Sequence, residues 1–577
     1  MRLNELKFPK EARKLLEQKA SLKSIEFITT KSGLETIRKS GILVHSSYDP
    51  VKEAENLISS LQLDEESKYL FILLGVGLGY HLKELRKKFT NSVILPIELD
   101  ADVAFAFLKK NDEFIVTRYN LNDIYTILNF TDFTDIKDVR FIQLPSLYRL
   151  YKQDYDNIAN DVAKVVKSKF TDLLTRINFD KLWVKNTLLN LPNVLKYGSV
   201  TKEVVEKNFE NFLGRPFVVL GAGYSAFFLL EEIKRYREKI VLCAVDTVLK
   251  TLLAYGIQPD FVFSLDSQFA NLKDLFGIST RGLTLLSDIV VSPELIRNFK
   301  GDVFLTKSSH IETVGGIVYE ITNNIVLWTE ELTGYKLLGL ESGGSVSTNL
   351  FHFALLMGGN PVFLIGVDLG FPYLVSHIKG SPSFEHFILK GNIFQTSDTF
   401  SVSSVLKDHI ILDGIKEKEC ISHKIMETYK LWFDSASDTS NLKSVINISD
   451  GVRLKGITNL PTSEGKNLLS SLLKECPDIP RKHKIEHVKP SADVRKILER
   501  LDALVTATQE ALNSFSKKSL DLLIENYPFV LNVVSKSLFP FFRGQKEFEE
   551  CRNGVVKDLV YLVKIVKSVS SLLEYSK

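Results

Sequence analysis

Six consecutive apolar positions, Tyr69–Leu74, run into Gly75, Gly77 and Gly79, and the mixed segment YHLKELRKKF follows. A run this short and this apolar reads as a strand buried on both faces, and after the glycines the spacing turns helical. A second apolar run, VILPIELD, completes a β–α–β unit and ends on Glu98 and Asp100. The pattern returns at FVVLGAGYSAFFLLEEI: strand Phe217–Leu220, a turn through Gly221 and Gly223, then a helix. KIVLCAVD is the next strand and ends at Asp246, and TVLKTLLAYG is an amphipathic helix. IQPDFVFSLDSQ turns at Pro259-Asp260 and gives a third strand ending at Asp266. Farther on, Gly343-Gly344-Ser345 opens a long apolar helix that reaches Leu356, GGNP ends it, and strand VFLIGVD delivers Asp368. Strand–turn–helix alternation of this length predicts an α/β fold with a mostly parallel sheet. From about residue 476 apolar residues recur every three or four positions with almost no glycine, which predicts an all-α bundle. The expected division is a Rossmann-like domain over 1–195, a central α/β domain over 196–475 and a helical domain over 476–577.

A chain of 577 residues is too long for one core. Its 45% hydrophobic and 25% charged residues are those of an ordinary globular protein, and a net charge of +3 argues against nucleic acid as a partner. The basic run RKHKIEHVKP at 481–490 reads as a solvated linker. Cys243, Cys420, Cys476 and Cys551 lie far apart, with no metal-ligand spacing and no disulfide framework, which suits a reducing cytoplasm. The charged N-terminus has no signal-peptide core, and the longest uncharged run, 342–367, is broken by GGNP, so no membrane span is expected.

The first glycine turn and its strand-end acids fit a dinucleotide or S-adenosylmethionine site, or equally a degenerate Rossmann-like fold. Asp100-Ala-Asp102 also matches the D-x-D with which many glycosyltransferases hold a metal and a sugar diphosphate. In the centre, N–H groups at Gly221, Gly223 and Ser225 are expected to face a phosphate. Asp246 suits ribose hydroxyls, and Asp266 and Gln268 lie at the carboxyl end of the next strand, where ligands bind in open α/β sheets. Gly343, Gly344, Ser345 and Ser347 form a second small-residue turn at a helix start. Two such cradles fit an activated sugar nucleotide better than a redox cofactor. A general base near neutral pH is most naturally histidine, and His377, in the loop LGFPYLVSH after Asp368, is the candidate. His386 is an alternative, and His352, on an apolar helix face, reads as a core residue. Asp368 orients that base, binds donor or caps a turn; Tyr373 donates to phosphate or packs its loop. Asn447, Asp450 and Gly451 read as an Asx/Gly turn.

GAGYSA, AVDTVLKTLLAYGIQPDFVFSLDSQ, GGSVSTNLFHFALLMGGNPVFLIGVDLGF with the following SH, and INISDGVRLKGI resemble the central domain of the motility-associated-factor (Maf) glycosyltransferases. LVHSSYDPVKEAENLI and LLGVGLGYHLKEL resemble that family's first domain, so the resemblance covers most of the chain. It implies a central domain similar to metal-independent bacterial sialyltransferases and to hydroxymethylpterin pyrophosphokinases. The implied activity is transfer of a nonulosonic acid of the pseudaminic or legionaminic type from a CMP-activated donor to Ser/Thr of flagellin, with no further cofactor and no metal. The chain departs from the family's G-x-G-P-S at Tyr224, which stands where proline is expected. Two other readings stay open: a nucleotide-dependent pyrophosphokinase-type transferase with Asp246 and Asp266 on Mg²⁺, and a non-catalytic flagellin-binding or assembly factor.

Overall fold

The computed structural model describes residues 7–575 except 112, 122, 132, 315–316, 440–443, 482–484 and 490–491. The first domain opens with an antiparallel sheet, β1 (Ile25–Thr29), β2 (Glu35–Lys39) and β3 (Ile42–Leu43). It continues with a parallel sheet ordered β5-β4-β6, made of β4 (Tyr69–Leu74), β5 (Val93–Ile97) and β6 (Asp138–Gln143). Every residue of β4 is buried, as its unbroken apolar run requires of a central strand. The expected Rossmann-like unit is present, reduced to three strands.

The central sheet contains β7 (Phe217–Leu220), β8 (Val241–Val245), β9 (Phe261–Ser264), β10 (Thr284–Asp288), β11 (Asp302–Val314), β12 (Ile317–Ile321), β13 (Leu338–Glu341) and β14 (Val362–Ile365). After a small hairpin, β15 (His409–Asp413) with β16 (Glu419–His423), it is completed by β17 (Val445–Ile448) and β18 (Thr458–Leu460). Its order is β12-β11-β10-β9-β8-β7-β14-β17-β18, with β13 also beside β11. All pairings are parallel except β11 with β12. The chain leaves β7 toward β8 and β9, whereas β14, β7's other neighbour, leads toward β17. The direction of winding therefore reverses between β7 and β14, and their carboxyl ends diverge there.

The C-terminal helices do not form a core of their own. Leu501, Leu504, Leu559 and Val566 share one buried cluster with Val262, Leu285 and Leu305 of the central sheet and with Val184 and Leu188. The last two belong to a 38-residue helix, Lys152–Leu189, about 57 Å long at ~1.5 Å per residue. It ties all three regions together: Asn532 donates to its buried Asp180, and Lys181 pairs with Asp558 at 2.5 Å. Arg543 donates to the carbonyl of Ile136 in the first domain.

The presumed solvated linker is instead anchored at both described ends. Arg481 pairs with Asp260 at 2.9 Å and donates to the carbonyls of Arg237 and Ile240, and Val488 bridges to Ser199. Lys482–Lys484 and Pro490 lie outside the described residues. Among the described residues no helix is long and apolar enough to cross a membrane.

Candidate active site

The carboxyl edge of the central sheet collects the strand-end acids Asp246, Asp266 and Asp368. The turn after β7 sits closest to the switch point, and its backbone is fully engaged. Gly221 N–H donates to Ile365 and Gly223 N–H to Gly366, both at 2.8 Å. A β-carbon on Gly221 would lie 2.4 Å from the Gly366 carbonyl, and one on Gly223 2.6 Å from the Asp368 carboxylate. Only glycine lets the two turns close on each other so tightly. No α-helix begins at Ser225: a 3₁₀ segment, Tyr224–Leu229, precedes a short helix, Leu230–Arg235.

Asp368 stands where a bound phosphate was expected. Its carboxylate accepts from Ser225 N–H at 2.9 Å and from the Ser449 hydroxyl at 2.8 Å. The fully buried Ser225 hydroxyl in turn accepts from Asp450 N–H at 3.0 Å. Asp450 also holds the Thr462 N–H and hydroxyl and the Tyr373 hydroxyl. A ligand phosphate therefore finds the N–H groups of Gly221, Gly223 and Ser225 already satisfied, and Asp368 joins the ends of β7, β14 and β17 rather than orienting His377. Burial pushes the Asp368 carboxyl up; Ser225 and Ser449 oppose this. Asn447 donates to Asn459 across the β17–β18 pair. A β-carbon on Gly451 would lie 2.1 Å from the Asp368 carbonyl.

Tyr224, in the place of proline, belongs to an aromatic platform on this edge. Its ring lies 5.4 Å from Tyr373 and 5.8 Å from Phe228, which is 42% exposed. Two ammonium groups sit on the platform: Lys379 lies 5.3 Å from the Phe227 ring centre, and Lys416 lies 4.8 Å from that of Tyr373, bonding its hydroxyl at 3.1 Å. Positive charge over aromatic faces offers both stacking and counter-charge to a nucleotide.

A group of acids follows the neighbouring strands β8 and β9. Asp246 is buried; it accepts from the Ser264 hydroxyl at 2.7 Å and from Thr247 N–H at 2.8 Å. Asp266 accepts from Gln268 N–H at 2.9 Å, closing the turn after β9 and leaving Gln268 exposed. The sequence reading missed Asp274. It is buried in a 3₁₀ segment, Phe269–Leu275, and one of its carboxylate oxygens has no hydrogen-bond partner. Burial, with the charges of Asp246 and Asp266, pushes its carboxyl up to about 7. The primary structure carries no signal for this beyond a third acid downstream of two others. Among the described residues no three His, Cys, Asp or Glu side chains are placed to hold a metal ion.

His377 reaches the same neighbourhood, because Ile378 N–H donates to Ala222 and the Thr251 hydroxyl to the Lys379 carbonyl. Its Nδ1 is buried and unpartnered; burial and Lys273 push the imidazole down to about 4. His352 receives Glu341 N–H at 3.2 Å within the core, and His386 is exposed.

The second turn lies at the start of helix Val346–Leu356. Gly343 N–H donates to the Thr348 hydroxyl and Gly344 N–H to Ser342. A β-carbon on Gly343 would strike Trp432 at 2.4 Å, so this turn lies under the helix Lys424–Thr439. Ser345 is the N-cap residue, but its hydroxyl makes no capping bond, and Ser347 is buried.

In the first domain the glycine turn is likewise satisfied from within. Glu98 accepts from Val76 N–H at 2.9 Å and Gly77 N–H at 3.1 Å, and His45 Nε2 accepts from Leu78 N–H at 2.8 Å. Asp100 caps helix Ala101–Lys110. Asp100 and Asp102 both pair with Lys39, at 3.2 and 2.5 Å, so this D-x-D is a structural ion pair and not a metal site.

Residues 185–373 match the family model for 6-hydroxymethylpterin diphosphokinase MptE-like proteins. An uncharacterized protein of Treponema pallidum (strain Nichols) is 28% identical over 119 residues, which is 20% of this chain and about half (51%) of that relative. Among solved structures, the MAf glycosyltransferase from Magnetospirillum magneticum AMB-1 superposes with a TM-score of 0.50 at 16% identity, covering 98% of this chain and 94% of the other. The chain therefore has the fold of a Maf glycosyltransferase, with an MptE-like central domain.

Proposed function

We propose that this chain is a protein O-glycosyltransferase that moves a nonulosonic acid of the pseudaminic or legionaminic type from a CMP-activated donor to Ser/Thr hydroxyls of flagellin, in the cytoplasm and without a metal. The observation that carries this reading is the pairing, on one sheet edge, of an aromatic–ammonium platform with a carboxyl that titrates near neutrality. The cytosine and phosphate of the donor sit on the Tyr224, Phe228 and Tyr373 side, with Lys379 and Lys416 meeting the negative charge. At the start of helix Val346–Leu356, Ser345, whose hydroxyl makes no capping bond, offers a second place for it.

In the transfer step the bond from the sugar anomeric carbon to the phosphate oxygen breaks, and CMP leaves with the electron pair. The acceptor hydroxyl forms the new carbon–oxygen bond and gives up its proton. Asp274 takes that proton, since a base works best when its pKa lies near the working pH. His377, at about 4, is neutral but a much weaker acceptor. The leaving charge is stabilised by the lysines and the helix start.

An apolar rim supports a protein acceptor. Leu389, Ile393 and Phe394 are 85%, 90% and 89% exposed, on and just after helix Pro382–Lys390. That helix is held to helix Asp246–Ala254 by Lys250–Glu385 at 2.7 Å. Phe228 and Phe269 are exposed on the same edge. Apolar groups concentrated like this mark a protein interface.

A second reading, a Mg²⁺–ATP pyrophosphokinase, is favoured by the MptE-like match over 185–373. Thermal shift with CMP, and with ATP plus Mg²⁺, each with and without EDTA, separates the two. A metal-independent CMP shift, followed by transfer from CMP-pseudaminic acid to flagellin seen by intact mass, is the expected result. A shift with ATP–Mg²⁺ alone transfers the assignment to the second reading, and none with either leaves a flagellin-binding factor.

A further inference from the structure

The two first-domain segments quoted above, LVHSSYDPVKEAENLI and LLGVGLGYHLKEL, meet at a cavity of about 610 Å³ far from the central sheet edge in sequence and outside the proposed reaction. Its wall is formed by Ser46, Tyr48, Asp49, Lys52, Glu53 and Asn56, closed by His81 with Leu57 and Pro145. Polar groups at its back are left without partners. His81 is 1% exposed, and its Nδ1 has no hydrogen bond. His45 stacks behind it at 5.8 Å, with ring planes 22° apart. Because His45 Nε2 accepts from Leu78 N–H, its Nδ1 carries the hydrogen, and this N–H also has no partner. The nearest acceptor, Glu53 Oε2, is 3.9 Å away, too far for a direct bond. The arrangement is built for: Gly77 has φ +56, and a β-carbon there would lie 2.3 Å from His45 Nε2.

We propose that this cavity binds a neutral polyhydroxylated ligand, a saccharide, through hydroxyls that pair with Glu53, Asn56 and His81. The chemistry excludes its neighbours. A phosphate or nucleotide meets two carboxylates, Asp49 and Glu53, against one ammonium, Lys52, and the glycine-loop N–H groups are already taken by Glu98 and His45. A polyamine cation suits the carboxylates but carries only donors, whereas Lys52 and the Asn56 amide on the same wall need acceptors. A hydroxyl both accepts and donates, so one group meets the unpartnered His81 Nδ1 in either tautomer and another donates to Glu53, whose Oε2 also holds Ser46 N–H at 2.9 Å. Tyr48, 63% exposed at the rim with Lys31 on one face at 4.0 Å, leaves its other face for the C–H side of a pyranose, and Leu57 and Pro145 supply apolar wall.

The inference does not depend on the reaction assigned to the central domain, and the test keeps the two apart. The full-length protein, with its ten histidines ¹⁵N-labelled, is titrated with the methyl glycosides of glucose, galactose, mannose and N-acetylglucosamine, and separately with CMP and spermidine. The expected result is saturation transfer to at least one pyranoside at millimolar concentration, with shifts confined to the His45 and His81 imidazole signals. Tyr48→Ala and Asn56→Ala, both at exposed positions that leave the fold intact, should each weaken that binding by roughly five- to tenfold. CMP binding should be unchanged in both. No binding by any pyranoside overturns the proposal. So does pyranoside binding insensitive to both substitutions, or spermidine or CMP moving the His45 and His81 signals in place of the sugars.

Discussion

Replacing Asp274 with asparagine separates its two roles, because it should stabilise the protein while disabling it. The carboxyl is held at about 7 in the folded chain, against 3.8 when unperturbed. Well below the unfolded value of 3.8 both states are protonated and this group contributes nothing. As the pH rises toward 7 the unfolded chain has released a proton that the folded chain still holds, so the native state loses ground continuously. At ~1.36 kcal/mol per pH unit the ceiling on that loss is about 4 kcal/mol. Partial solvent access reduces it to roughly 1–3 kcal/mol. Asparagine has no proton to lose, and its amide N–H₂ can donate to the neighbouring carboxylates of Asp246 and Asp266. Urea unfolding midpoints of wild type and Asp274→Asn across pH 4–8 should therefore diverge: equal near pH 4, with the variant ahead by about 1–3 kcal/mol at pH 8. Transfer rate should fall by roughly 10²–10⁴-fold, and the pH–rate limb near 7 should vanish. A stability difference flat with pH, or a variant less stable at pH 8, would refute the electrostatic argument. Unchanged transfer would refute the catalytic one.

Asp368→Ala leaves Ser225 N–H and the Ser449 hydroxyl unpaired in the interior and should lower unfolding stability by about 2–4 kcal/mol, with Asp368→Asn losing less, as read by urea denaturation. Lys379→Ala and Lys416→Ala should each raise the Kd for CMP by about fivefold to tenfold, in a manner that fades at high salt, measured by calorimetry at two ionic strengths. Leu389→Asp with Phe394→Asp should change the melting temperature little, since both side chains are exposed, yet cut transfer to flagellin while sparing hydrolysis of the donor. His377→Gln should keep the transfer rate within about tenfold of wild type, because a base at about 4 contributes little at neutral pH.

The strands were legible from the apolar runs alone. Tyr69–Leu74, Phe217–Leu220 and Val362–Ile365 are buried at every position, and no competing period exists in them. The glycine turns were legible too, but their purpose was not. Whether the N–H groups of Gly221, Gly223 and Ser225 face a ligand depends on the carbonyls of Ile365 and Gly366 and on a carboxylate 143 residues from Ser225, and no local pattern carries that information. Asp274 was invisible for the same reason: its properties come from burial, then from Asp246 and Asp266 across a loop. Arg481 lay in a run whose composition said linker, yet a guanidinium with several donors found Asp260 and the carbonyls of Arg237 and Ile240 in one pocket. Charge density predicts solvation only where no such acceptor cluster exists.

Both nucleotide-like turns share one device, and it changes where a ligand can bind. Glu98 in the first domain places the chain's own carboxylate on Val76 and Gly77 N–H, and Asp368 in the second on Ser225 N–H, where such turns usually offer donors to a phosphate. An anion at that position is electrostatically favourable whether it comes from a ligand or from the protein. Burying the carboxylate opposes this: Glu98 is pushed up to about 7, and Asp368 is also raised. The arrangement persists because the same carboxylates pin neighbouring structure, Asp368 through Ser449 and Glu98 through Asp100 N–H at 3.1 Å. The turns therefore act as joints that fix the strand ends against each other. What remains free to meet a ligand is what those joints hold in place: the platform of Tyr224, Phe228 and Tyr373 with its lysines, the buried carboxyl of Asp274, and in the first domain His81, backed by the His45 ring that Gly77 makes room for. Glycine spacing thus marks where these sites are anchored, and the side chains that the anchored loops carry determine what they bind.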